Sequence, residues 1–129
     1  MPEKKQKILM IDEDRFFRKI YRDKLSRLGF DFVEATNGVE GLNKVIAEKP
    51  DLVILDLILP RKNGFDVLID MKSNRNTENI PVIILSNLGQ ESDIQRGLSI
   101  GAEDYLIKTE ASLSKVIEKV REQLVKVRR

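Results

Sequence analysis

The chain has 129 residues, 23 Lys and Arg against 21 Asp and Glu for a net charge of +2, and neither cysteine nor histidine. That length supports a hydrophobic core without disulfides, and the two missing residue types exclude thiolate or imidazole metal sites and any Cys–His or Ser–His–Asp mechanism. A metal site here is built from oxygen and suits a hard cation such as Mg²⁺, Mn²⁺ or Ca²⁺. So small a charge gives no ground for direct nucleic-acid binding. The apolar runs are far shorter than a membrane span, and no signal-peptide pattern precedes the first of them, so a cytoplasmic location away from membranes is the expectation. The basic stretch KVIEKVREQLVKVRR at the end of the chain is what a helix C-terminus favours.

Short β-type runs alternate with helical patterns along the whole length. Lys7–Ile11 reads as a strand, and Asp14–Leu28 as a helix with Phe17, Ile20, Tyr21, Leu25 and Leu28 at helical spacing before Gly29 stops it. Phe30–Ala35 is a second strand, Asn37 and Gly38 a turn, and Val39, Leu42, Val45 and Ile46 the stripe of a second helix closed by Pro50. Leu52–Leu55 is unbroken aliphatic, as in strands covered on both faces of a parallel sheet. A third helix runs from Gly64 or Phe65 to about Lys72, and Ser73–Asn79 is a polar loop. Pro81–Leu85 is strand, about Gln90–Ile100 helix, Asp104–Ile107 strand, and about Ser112–Lys126 the last helix. Five strand–helix alternations predict an α/β domain, a doubly wound parallel sheet with right-handed crossovers and helices on both faces. No internal repeat or linker interrupts it, so residues 1–129 are expected to form one domain.

The strand ends carry the chemistry. The first strand empties into Asp12, Glu13 and Asp14, the third into Asp56, the fourth into Ser86 and the fifth into Lys108. In an open parallel sheet these carboxyl ends are where ligands bind. A carboxylate at the tip of a hydrophobic strand is costly to desolvate unless a cation or a reaction meets it. Asp14 also reads as a helix cap.

On the residues Ile11–Asp14 (IDED), Ile54–Pro60 (ILDLILP), Asn63–Asp66 (NGFD), Val82–Asn87 (VIILSN) and Gly101–Lys108 (GAEDYLIK), the chain resembles the receiver domains of two-component response regulators, stand-alone chemotaxis-type receivers included. The resemblance covers about residues 7–124. It implies a flavodoxin-like strand order 2-1-3-4-5. It also implies that Asp56 accepts a phosphoryl group from a phosphohistidine on a sensor histidine kinase or histidine phosphotransfer protein. Asp12, Glu13, Asp56 and the backbone carbonyl of Ile58 would hold Mg²⁺, or Mn²⁺. Ser86 would bond a phosphoryl oxygen, and Lys108 would pair with a carboxylate or phosphate oxygen. Ser86 and Tyr105 would move inward as a switch on phosphorylation. That movement would reshape the face of the fourth helix, fifth strand and fifth helix, where Ile94, Leu98, Ile100, Tyr105 and residues near Ser112 would meet a downstream protein. The chain would be a signalling switch rather than an enzyme. Its only chemistry would be phosphoryl transfer to itself and slow loss of that group.

Three positions depart from the family pattern. Glu13 stands where aspartate is commoner, and its extra methylene moves the carboxylate outward. Asn87 follows the hydroxyl residue, where it either narrows access to Asp56 or donates an amide hydrogen. Thr109 follows Lys108 in place of proline; since a cis bond to a non-proline costs about 2.5–4 kcal/mol, a trans bond is expected, with a changed path for the loop. Ile58 and Leu88, two residues beyond Asp56 and Ser86, are both apolar and are expected to slow loss of the phosphate. Two other readings compete: a degenerate receiver acting as a phosphorylation-independent scaffold, and an aspartyl-phosphate phosphatase of the haloacid-dehalogenase type. The latter needs a second aspartate where Ile58 stands. A flavodoxin-like FMN protein fits poorly, because Asp12, Glu13 and Asp14 would not build its phosphate loop.

Overall fold

In the computed structural model, which describes residues 4–127, five parallel strands form one sheet in the order β2-β1-β3-β4-β5. The elements are β1 (Lys7–Ile11), α1 (Arg15–Arg27), β2 (Asp31–Ala35), α2 (Gly38–Glu48), β3 (Leu52–Leu55), α3 (Gly64–Lys72), β4 (Val82–Ser86), α4 (Glu91–Ile100), β5 (Asp104–Ile107) and α5 (Leu113–Val127). Alternate strand residues serve opposite faces. Ile8, Met10, Leu52, Ile54, Ile83 and Leu85 pack with Tyr21 and Leu25 of α1 and Val116, Val120 and Leu124 of α5. Leu9, Ile11, Val53, Leu55, Val82 and Ile84 pack instead with Val45 of α2 and with Phe65, Leu68 and Met71 of α3. Every side chain of β3 is buried, so its aliphatic run lacks the polar alternation of a one-sided strand. No helix among the described residues is long and apolar enough to cross a membrane.

Helix starts follow local chemistry. Asp14 caps α1, its Oδ1 accepting the N–H groups of Phe16 at 2.9 Å and Phe17 at 3.1 Å. Asn37 caps α2 and Asn63 caps α3 in the same way. Gly38, expected in a turn, is instead the first residue of α2. A Cβ there would lie 1.8 Å from the Lys62 carbonyl oxygen, so glycine lets α2 abut the β3–α3 loop. Lys49 ends α2 in the left-handed region at φ 49°. The fourth strand starts at Val82 rather than Pro81, which has no N–H to give the ladder, and it includes Ser86, paired with Ile107.

Two periodicity assignments fail on exposure. Ile20 and Ile46, expected on the apolar stripes of α1 and α2, are 51% and 52% exposed. Each sits one residue beside the true inward position, Tyr21 or Val45, and 100° of helix rotation carries it to the flank.

Gly64 bears on the site directly. Its N–H donates to the Leu57 carbonyl at 2.9 Å, and an added Cβ would lie 2.3 Å from the Asp56 carbonyl oxygen and 2.5 Å from Leu57 Cα. Both obstacles are backbone and cannot rotate away. Gly64→Ala should therefore destabilise the fold by about 1–3 kcal/mol, read as a lower denaturant midpoint at unchanged slope.

Candidate functional site

The strand order reverses direction between β1 and β3, and Asp12 and Asp56 stand at the ends of those two neighbours. Such a switch point opens a crevice, because the helices that follow the two strands leave to opposite faces. Backbone bonds carry the sheet ladder into the site. The N–H groups of Asp12, Asp56 and Lys108 donate to the carbonyls of Ala35, Ile11 and Ser86, each at 3.0 Å. The side chains are thus launched from a rigid edge.

Both carboxylates are nearly covered, Asp12 at 2% and Asp56 at 7% exposure. Ser86, fully buried, donates from Oγ to Asp56 Oδ1 at 2.7 Å, and the Ile58 N–H reaches the same oxygen at 3.2 Å. Lys108 Nζ bridges the two acids, 2.8 Å from Asp56 Oδ2 and 2.7 Å from Asp12 Oδ2. Its ammonium also lies 4.6 Å from the centre of the Phe17 ring. Among the described residues no peptide bond is cis, so Lys108–Thr109 is trans as expected. With that trans bond Lys108 still reaches both acids, because the ladder bond to Ser86 holds its backbone in line.

One ammonium is shared by two acids. Burial raises the Asp12 carboxyl above the ordinary aspartate range, and the hydrogen bonds from Lys108 and from the Asp14 N–H offset this only in part. For Lys108, burial pulls downward, yet the hydrogen bonds to Asp12 and Asp56 outweigh it and leave the ammonium above its usual value. The trio carries one uncompensated negative charge and is poised to take up positive charge.

Asp12, Glu13, Asp14, Asp56, Ile58 and Lys108 line one open basin of about 410 Å³. The expected ligands Asp12, Glu13 and Asp56 all face this one basin without closing on a common point. Among the described residues no three acidic side chains are gathered as a metal cage, because Lys108 lies between Asp12 and Asp56 and Glu13 turns to solvent. The donor set still fits a hard divalent ion. It is all oxygen, carries excess negative charge and opens to water, which Mg²⁺ retains in its shell. Asp14 faces the basin but is engaged as the α1 cap.

The other expected residues divide. Ser86 already holds Asp56, and Tyr105 is already buried, its hydroxyl donating to the Leu88 carbonyl. Burial, then the Asp93 and Asp56 charges, push the Tyr105 phenol up to about 12, so it stays a donor. Ser86 and Tyr105 thus both stand in the inward setting in this structure. Ile58 stands at the basin mouth, 56% exposed. Leu88 packs partly against the core and does not line the basin. On the expected partner face, Ile94 and Ile100 are also packed against the core, which leaves Leu98 as the large apolar side chain open to solvent there.

Sequence reasoning missed Phe17 as a neighbour of Lys108, and also Arg18 and Glu34. Arg18 is buried and paired with Glu34 on β2. The available signal was a charge inside the apolar strand DFVEA.

A family model described as the response regulator receiver domain matches residues 8–121. The chain is 39% identical over 106 residues to a probable transcriptional regulator ycf27 of Guillardia theta, a match covering 82% of this chain and 41% of that protein. It is 39% identical over 102 residues to the transcriptional regulatory protein CpxR of Escherichia coli K12, covering 79% and 42%. The chain thus spans about two fifths of the length of these curated relatives. Among solved structures, the receiver domain of the Francisella response regulator 1452 superposes with a TM-score of 0.87 at 28% identity, covering 95% of this chain and 98% of that one. The BeF3-activated N-terminal receiver domain of Klebsiella pneumoniae RstA gives 0.85 at 26% identity, covering 92% and 98%.

Proposed function

We infer the function from one premise: the chain belongs to the response regulator receiver domain family. It is a signalling module of the kind that interacts with histidine kinases, and Asp56 is its phosphoacceptor. One observation carries that assignment. Both oxygens of a buried carboxylate are held by groups suited to a phosphoryl group, the Ser86 hydroxyl on one and the Lys108 ammonium on the other.

The mechanism asks little of acid–base chemistry. An ionised carboxylate needs no general base, which suits a chain without histidine. An Asp56 oxygen attacks phosphorus in line with the departing imidazole nitrogen; the new O–P bond forms as the N–P bond breaks. Phosphoryl transfer is mostly positioning and charge stabilisation. Lys108 supplies a point charge, Ser86 a hydroxyl donor, and the Ile58 N–H a backbone donor to the same carboxylate. Asp12, Glu13, Asp56 and the Ile58 carbonyl are the groups that would hold Mg²⁺. When bound, that ion neutralises charge on the phosphoryl oxygens. The downstream partner is a protein meeting α4, β5 and α5, with Leu98 as the exposed apolar contact. The signal passes as a rearranged β4–α4 loop, since Tyr105 and Ser86 both bond to that segment.

The test is incubation with acetyl phosphate and Mg²⁺ followed by intact-mass measurement. The wild type gains one phosphoryl group and Asp56→Asn gains none. An unmodified wild type would support the scaffold reading instead, and turnover of a free phosphoester the phosphatase reading. Nothing in the site favours either, and Ile58 offers no proton to a leaving group.

Ile58 also governs how long the phosphate lasts. Its side chain stands at the basin mouth, where water must enter to attack phosphorus. Ile58→Asn should shorten the phosphate half-life roughly several-fold by admitting and orienting that water. Leu88→Asn should act less on the half-life and more on stability, because Leu88 packs against the core. Loss of the phosphate label over time, compared across the three proteins, checks both expectations.

A further inference from the structure

The two peptide units flanking Glu13 are held by one side chain. Arg18 is buried, and its Nη1 donates to the carbonyl of Asp12 at 2.7 Å and to that of Glu13 at 3.1 Å. Peptide units are planar, so fixing the carbonyl directions of units 12–13 and 13–14 fixes φ and ψ at Glu13. That in turn fixes where its Cβ points. The same clamp completes Asp12, whose N–H is already held by Ala35.

Glu13 depends on its backbone more than Asp12 does. The Asp12 carboxylate is anchored by the Asp14 N–H and by Lys108. The Glu13 side chain is exposed and has no hydrogen-bond or ion-pair partner among the described residues, and it carries an extra methylene to order. Arg18 is itself aimed by Glu34, whose Oε1 accepts from Arg18 Nε at 2.7 Å. Arg22 shares Glu34 through Nε at 2.8 Å and Nη2 at 3.0 Å, but touches nothing in the acidic loop. The pair of arginines thus separates two effects, since both neutralise Glu34 and one alone grips the loop.

We propose that Arg18, oriented by Glu34, is a positioning residue that sets Glu13 and Asp12 for a divalent cation. The inference rests on the metal-assisted phosphoacceptor reading, but it is read from cation binding and needs no phosphorylation. Partners that orient ligand-bearing groups typically contribute 10–100-fold to metal affinity.

The experiment is calorimetric titration of the full chain with Mg²⁺. Arg18→Gln should weaken binding about tenfold, while Arg22→Gln, which loses a half-exposed pair, should stay within about twofold. In a Glu13→Gln background, Arg18→Gln should cost far less than in the wild type, because the residue it positions no longer carries the ligand charge. Wild-type affinity in Arg18→Gln, an equal loss in Arg22→Gln, or no Mg²⁺ uptake by the wild type would each overturn the proposal. If Arg18→Gln does not fold, Arg18→Lys takes its place. A lysine cannot hold both carbonyls and Glu34 together, so unchanged affinity in that variant would overturn the proposal equally. A wild type that binds Mg²⁺ but takes no phosphate would count against the phosphoacceptor reading alone, leaving calorimetry to decide the role of Arg18.

Discussion

Lys108→Ala is expected to lower stability by about 3–5 kcal/mol in the absence of divalent ions, because it strands two buried carboxylates without their shared cation. Asp12 and Asp56 both meet the Lys108 ammonium within 2.8 Å, and both are nearly covered. Two effects compete in the variant. The vacated space admits water, which softens the loss, while mutual repulsion of the acids deepens it. Mg²⁺ can occupy the same electrostatic role, so it should raise the melting temperature of Lys108→Ala more than that of the wild type. Phosphate capture should fall on the order of a hundredfold even with Mg²⁺ present, since a positioned charge on the transferring group is lost. Thermal melts with and without Mg²⁺, set beside the rate of mass gain from acetyl phosphate, check both halves. Capture at the wild-type rate would remove Lys108 from the chemistry.

Asp12→Asn should act on stability with the opposite sign. Burial raises the Asp12 carboxyl above its ordinary value despite Lys108, so the folded chain holds that proton more tightly than the unfolded chain. For such a group, stability falls as pH rises from the unfolded value of about 3.9 through the raised folded value, and the loss persists at neutral pH. Asparagine keeps the shape and an acceptor for the Asp14 N–H without the charge. The variant should therefore melt higher than the wild type at pH 7, and the advantage should shrink towards zero below about pH 4. Phosphate capture should be lost together with Mg²⁺ binding. Denaturant midpoints of both proteins between pH 3 and pH 8 measure the effect; an advantage that grows towards acid would contradict it. Stability and function pull apart at this residue, as expected where a cation site is built from crowded acids.

Much of the molecule was legible from residue order. The order and approximate extent of the strands, the helix cap at Asp14, and the run of acids, hydroxyl and amine at successive strand ends all rest on local rules. Backbone donors, alternation and capping act over a few residues, so they are written in short windows of sequence. The site residues Asp12, Asp56, Ser86 and Lys108 follow from the same rules plus one topological fact, that parallel strands share an edge.

Long-range geometry decided the rest. Arg18 looks like one more charge on a helix until β2 brings Glu34 beside it and the acidic loop turns its carbonyls inward. Whether Ile20 and Ile46 are covered depends on how each helix is rolled against the sheet, which periodicity resolves only to within about one residue. Lys108 keeps its aim without the following proline because Ser86, on the neighbouring strand, secures its backbone. The inward setting of Ser86 and Tyr105 depends on Asp56 and on the Leu88 carbonyl, neither of which adjoins them in the chain. Local preferences select the elements; contacts between residues dozens of positions apart choose orientation and charge balance, and those exist only once the elements have packed.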